Sequence, residues 1–222
     1  AGDEFGLTVS LSSAGDIVAI GARKNDEAGT DAGQARVFKW SAASNTWDQI
    51  GDAIGGQAAI DHAHVVSLSS DGYTVAFGAR LNDDAGPDAG HVRVFRWNAL
   101  TNQWQKMGGN INGAAEHNSF GATVSLSSNG NIIAIGAKAN DTAGERAGHT
   151  KVYQLNEADS SWVQLGSDIN GTAAGDLSGW QVSLSADGST VVIGAPTNDT
   201  NGADAGEVKI YHWDPITLDW IQ

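Results

Sequence analysis

The chain has 222 residues, and 41% of them are hydrophobic, which suffices for a packed core and is too many for a disordered chain. Twelve Lys and Arg stand against 26 Asp and Glu, and the formal charge of −14 argues against nucleic acid or anionic lipid as partners. There is no Cys, and no apolar run reaches the roughly 18 residues of a membrane span, so disulfides, thiolate chemistry and a helical span are excluded.

The chain opens at Ala1 rather than Met and shows no signal-peptide pattern, as expected of a processed product or a piece of a longer protein. The first predicted strand is TVSLS, residues 8–12, which stops at the turn dipeptide Ala14-Gly15. DIVAIGA, residues 16–22, follows and is almost continuously apolar, as a strand covered on both faces would be. A polar loop, N-D-x-x-G-x-x-A-G, leads to the third strand, ARVFKW, residues 35–40. WDQIGDAI, residues 47–54, is the fourth. No apolar series at i, i+3 and i+4 supports a long helix.

The same four elements then recur. Val9, Val66, Val124 and Val182 open the copies at spacings of 57, 58 and 58 residues, and Gly21, Gly78, Gly136 and Gly194 keep step with them. So do Trp47, Trp104, Trp162 and Trp220. Asp71-Gly72, Asn129-Gly130 and Asp187-Gly188 take the place of the first hairpin turn. The copies span approximately residues 1–57, 58–115, 116–173 and 174–222, with no linker between them. Short antiparallel strands at this period describe the blades of an all-β propeller. One blade cannot bury both faces of its second strand, but stacked blades can. Four blades either close on themselves or belong to a larger ring, completed by further blades or by a second copy.

The short motifs carry a resemblance. Phe5-Gly6 and Phe120-Gly121 open copies one and three, with His62-Ala63 and Ser178-Gly179 in that place elsewhere. Gly194-Ala195-Pro196 ends the second strand of copy four, and an A-G-x-[AVT]-[KR]-[IV]-[FY] segment follows in each copy. This pattern resembles the FG-GAP repeat of integrin alpha-chain propellers and of large secreted proteins. The resemblance implies a propeller fold and an extracellular binding role. It also implies calcium in an Asp-rich loop between first and second strands. Here that connection is only SSAGD, SSDGY, SSNGN or SADGS, too short and too poor in carboxylates for six to eight oxygen ligands.

Calcium has a second candidate place in the N-D loops, through Asp26, Asp31, Asp83, Asp88, Asp141, Asp199 and Asp204. The competing reading is that these side chains bond their own backbone turns. Arg36, Arg93, Lys151 and Lys209 alternate onto one strand face with Phe38, Phe95, Tyr153 and Tyr211, and read as structural cations paired with Asp26, Asp83, Asp141 and Asp199. His62 and His64, two apart on an expected strand, and Trp180 break the repeat and are the candidate ligand-binding residues. The paired Trp residues read as clamps on the outer hairpin, with sugar stacking as the alternative.

No serine elbow, zinc-protease helix or phosphate loop is present, so a non-catalytic chain without a cofactor is expected. Sequons at Asn140, Asn170 and Asn198 accord with secretion. The expected function is an extracellular adhesion module that recognises a protein through rim loops. A glycan-binding propeller and a structural subunit of a larger assembly are the alternatives.

Overall fold

The computed structural model describes residues 2–222 and contains strands, turns and no helix among them. The first blade consists of β1 (Phe5–Leu11), β2 (Ile17–Ala22), β3 (Gln34–Ser41), β4 (Thr46–Gln49) and β5 (Ile54–Gly55). The second holds β6 (Ala63–Leu68), β7 (Thr74–Ala79), β8 (His91–Asn98), β9 (Gln103–Lys106) and β10 (Ile111–Asn112). The third holds β11 (Thr123–Leu126), β12 (Ile132–Ala137), β13 (His149–Asn156), β14 (Ser161–Gln164) and β15 (Ile169–Asn170). The fourth holds β16 (Gln181–Leu184), β17 (Thr190–Ala195), β18 (Glu207–Asp214) and β19 (Asp219–Ile221). Each blade is one antiparallel sheet, and the four sheets follow the order of the repeats.

Local chemistry sets these elements. The hairpin glycines Gly15, Gly72, Gly130 and Gly188 have φ between +70° and +77°, which a side chain would strain. Ser12 Oγ accepts the Ile17 amide at 3.0 Å, and Ser69, Ser127 and Ser185 do the same for Thr74, Ile132 and Thr190. The expected fourth strand divides in two. β4 pairs with the end of β3, and β5 pairs with its start. The break falls at Gly51, whose φ is +69° and against which Trp97 and Trp104 of the next blade pack.

Blades stack face to face, and β2 and its equivalents form the middle of the stack. All six residues of β7 are buried, and so are five of the six in β12. In β17 and in the first five residues of β2 buried and half-buried residues alternate. The difference follows the stack: among the described residues, blades two and three are covered on both faces and blades one and four on one. Val66, Val124 and Val182 are 7, 7 and 8% exposed, whereas Val9 at the same motif position is 65% exposed. Ile210 is 49% exposed, whereas its equivalents Val37, Val94 and Val152 are at most 1% exposed. Blades one and four do not cover each other in this way, and the described residues form no closed ring.

Three sequence expectations are corrected here. Ala63, not His62, takes the place of Phe5, Phe120 and Ser178. It pairs with Ala79 as Phe5 pairs with Ala22, and it lies against Gly33 as Phe120 lies against Gly90 and Ser178 against Gly148. Blade two is one residue short here, which is why the first spacing is 57 rather than 58. His62 therefore precedes β6, at φ +47°, and does not share a strand face with His64. Finally, Asn140 and Asn198 are 4 and 2% exposed, so those two sequons are inaccessible in the fold.

Candidate functional site

The N-D loops join β2 to β3 and its equivalents in each blade, and they settle into one repeated turn. Asp26 Oδ1 accepts the Asp31 amide at 2.8 Å. Asp83, Asp141 and Asp199 accept from Asp88, Arg146 and Asp204 at 2.8, 2.7 and 2.7 Å. The Asn before each of them accepts an amide two residues on. Asp31, Asp88, Arg146 and Asp204 all have φ near +50°, and the side-chain acceptor holds that left-handed bend. Among the described residues, no three His, Asp or Glu side chains converge as a metal would require.

The basic position of the third strand is not paired with these Asp residues. Arg36 Nε donates to Gln34 Oε1 at 2.7 Å, and its guanidinium lies 3.6 Å from Glu27. Arg93 donates to the Gly55 carbonyl of the preceding blade at 2.5 Å and covers the rings of Phe77 and Phe95 at 5.4 and 5.6 Å. Lys151 meets Asp168 at 3.2 Å and Lys209 meets Glu207 at 3.5 Å. The Asp carboxylates are committed to the turn, so each cation takes a different neighbour.

Cations from successive blades gather where β2, β7 and β12 end. Each of those strands finishes on Gly-Ala and is followed by a cation: Arg23, Arg80 or Lys138. Blade four has Pro196 instead. Arg23 and Lys24 hold Glu4 at 2.6 and 2.9 Å, and their hydrogen bonds lower its carboxyl to about 2. Arg80 is half-buried and makes no ion pair among the described residues, although Asp88 attracts it from farther away. Burial, then the charge of Arg23, pulls its pKa below the usual guanidinium value. Lys138 lies 3.7 Å from the centre of the Trp180 ring, and burial followed by Arg80 and Arg146 lowers its pKa. Behind burial, Arg23 thus acts on Arg80 and Arg80 on Lys138, so like charges from successive blades lie near one another, with Asp88 opposing them at Arg80.

Two of the three pattern-breaking residues border these cations. Burial first, then Arg80 and Arg23, lowers the pKa of His62, whose Nδ1 has no hydrogen-bond partner. Trp180 is 41% exposed beside Lys138. His64 is different: it is buried, its Nδ1 lies 2.6 Å from the His62 carbonyl, and burial lowers its pKa to about 4. It packs and does not face solvent. The cation row was not singled out from the sequence. Its signal was the shared position of Arg23, Arg80 and Lys138 directly after Gly-Ala.

The Trp residues fulfil the clamp expectation. Trp40 and Trp47 are 5.6 Å apart between centroids, Trp97 and Trp104 5.3 Å, and Trp213 and Trp220 5.5 Å. They also fasten blades together, because Trp104, Trp162 and Trp220 donate Nε1–H to the carbonyls of Ile50, Met107 and Leu165 in the blade before. Those indole edges are thereby occupied in packing.

Comparison with known proteins follows from this geometry. The FG-GAP repeat model matches residues 1–38 and 170–211, in the first and last blades. No curated protein sequence matches the chain significantly. Among solved structures, hydrazine synthase of Kuenenia stuttgartiensis superposes with a TM-score of 0.55 at 13% identity, over 96% of this chain and 47% of that one. A putative 6-phosphogluconolactonase of Bacteroides uniformis gives 0.51 at 11% identity, over 96% of this chain and 69% of that one. One from Bacteroides fragilis gives 0.50 at 15%, over 78% and 41%. The chain thus spans less than half of two of these proteins, and the likeness is one of fold. The FG-GAP repeat model thus matches the two ends of the chain, and the four stacked antiparallel blades have the β-propeller fold.

Proposed function

We propose that this chain is an extracellular protein-binding module that serves adhesion through the end of the propeller bearing the N-D loops. The observation that carries the reading is the cation row. Arg23, Arg80 and Lys138 recur blade by blade, and among the described residues Arg80 makes no ion pair, with Asp88 the carboxylate that attracts it from farther away. The acidic turns around Asp26, Asp83 and Asp141 flank the row at the same strand ends. Such a surface suits a protein segment of mixed charge, with a carboxylate for the row and an aromatic or cationic group for Trp180. Rim loops on a rigid scaffold are a common place for recognition. The reading is non-catalytic, and the relatives' reactions are not carried over, because the likeness to them is of fold alone.

The test is capture of the chain on a panel of immobilised extracellular proteins and glycans. A protein should retain it, and retention should fall about tenfold or more between ~0.05 and ~0.5 M NaCl. Arg80→Glu should weaken capture by a similar factor, while melting stays unchanged. Retention by glycans alone, or capture insensitive to both salt and Arg80→Glu, would replace this reading. So would turnover of a lactone or glycoside substrate that survives purification to homogeneity.

A further inference from the structure

The outer hairpins of the four blades are copies of one another with one exception. Across each of them two residues pair: Trp40 with Trp47, Trp97 with Trp104, Leu155 with Trp162, and Trp213 with Trp220. The hairpins have the same length, so Leu155 stands in the register of a Trp. The three Trp pairs lie 5.3 to 5.6 Å apart between ring centres, and Trp162 makes no such ring contact among the described residues.

The Trp that Leu155 replaces has a definite seat at the other two junctions. Cζ3 of Trp97 lies 2.6 Å from where a Cβ on Gly51 would stand, and Cζ3 of Trp213 lies 3.0 Å from the same point on Gly166. Both indoles therefore cover the turn that follows the fourth strand of the preceding blade. Gly108 is the equivalent turn between blades two and three. Its nearest neighbours are the Ser160 carbonyl and the Trp162 ring, not Leu155. A groove of about 630 Å³ opens there, lined by Arg96, Gln105, Met107 and Gly108 of blade two and by Leu155 and Glu157 of blade three. That volume lies within the ordinary range of ligand sites, about 300–1,000 Å³. On the other side of blade three the corresponding groove is lined by Gln154, Asn156 and Val163 but stops short of Leu165 and Gly166, where Trp213 lies. The depth of the groove at Gly108 thus follows the missing ring. Atoms that an indole touches at the sibling junctions lack that partner here.

We propose that this groove binds a planar aromatic ring of indole size, in the place that Trp97 and Trp213 fill from within the chain at the other two junctions. The ligand is uncharged beside the ring. Arg96 and Glu157 both line the groove, and Asn131 joins them, accepting from Arg96 Nη2 at 2.8 Å and donating to Glu157 Oε1 at 2.8 Å. Their opposite charges offset one another, so neither an anion nor a cation is favoured. A Trp side chain on a partner segment and a free indole share this chemistry, and the two are separated by experiment. The groove lies at the far end of β8 from the loop that follows Arg80, so the inference does not rest on the cation row.

The test is an NMR titration of the isotope-labelled chain with indole and, separately, with N-acetyltryptophanamide, each to ~10 mM, where a millimolar site saturates. The amides of Met107, Gly108, Leu155 and Ser160 should shift, and those of Ile50, Gly51, Leu165 and Gly166 should stay in place. Saturation by N-acetyltryptophanamide assigns the ring to a Trp of a partner segment, and saturation by indole alone assigns it to a free aromatic molecule. Leu155→Trp supplies the residue that blades one, two and four already carry. It should raise the melting temperature, as filling a cavity does, and weaken binding about tenfold or more. Leu155→Phe brings a smaller ring to the same position and should weaken binding in the same direction. The proposal is overturned if neither probe shifts the amides around Gly108, or if both variants fold and leave the shifts at full strength.

Discussion

Asp141 shows how one side chain type serves all four loops. Its Oδ1 accepts the Arg146 amide at 2.7 Å and so holds a non-glycine residue at φ +53°. Asp141→Ala should cost about 0.5–1.5 kcal/mol in urea denaturation, whereas Asp141→Asn, which keeps the acceptor, should cost less than half of that. Equal losses would show that charge matters and the turn bond does not. With these carboxylates committed to backbone amides, millimolar calcium should leave the melting temperature where it is, and a rise of several degrees would contradict this.

The buried His91 and His149 make a second residue-scale case. They are 0 and 2% exposed, and burial, followed by the neighbouring Arg93 or Lys151, lowers each imidazole to about 4. A lowered folded-state pKa favours the neutral ring. The unfolded chain therefore takes up protons first as pH falls below 6.5, and stability drops between 6.5 and about 4. Each ring contributes on the order of 2–3 kcal/mol to that fall. Gln34 stands at the same motif position in blade one. His91→Gln combined with His149→Gln should flatten the melting profile across this window, and an unchanged slope would place the titration elsewhere.

At the scale of the element, the junction glycine is the tightest requirement. Gly136 meets the Gly179 carbonyl and the Thr123 side chain where a Cβ would be, so Gly136→Ala must push blades three and four apart. The expected cost is about 1–3 kcal/mol by denaturation, and an unshifted midpoint would mean that the junction is looser than described. The strands themselves were legible from the sequence, because alternating apolar residues between Gly-bearing turns repeat four times in register. The division of the fourth strand was not. It depends on Gly51 adopting a left-handed φ under two Trp side chains from the next blade, a tertiary event that no local pattern records. The true register of Ala63 was visible only as one missing residue in the first spacing. The cation partners were misread for a similar reason. Proximity in sequence favoured the N-D carboxylates, but the turn had already claimed them, and Arg93 reaches back instead to a carbonyl 38 residues earlier.

At the scale of the whole molecule, blades shield one another and the two end faces remain bare. This follows from the repeat itself, since each blade supplies one half of a junction and needs its neighbour for the other. The end that bears the cation row was only partly legible. Trp180 and His62 stood out because they break the pattern, while Arg23, Arg80 and Lys138 kept to it and acquire meaning only when stacking brings them near one another. The central claim is that mutual burial between blades holds the middle strands. Hydrogen exchange on the chain tests it most directly. Amides of β7 and β12 should exchange last and those of β2 and β17 markedly sooner, because both faces of the middle blades are covered and only one face of each end blade is. Equal protection across all four strands would contradict the account.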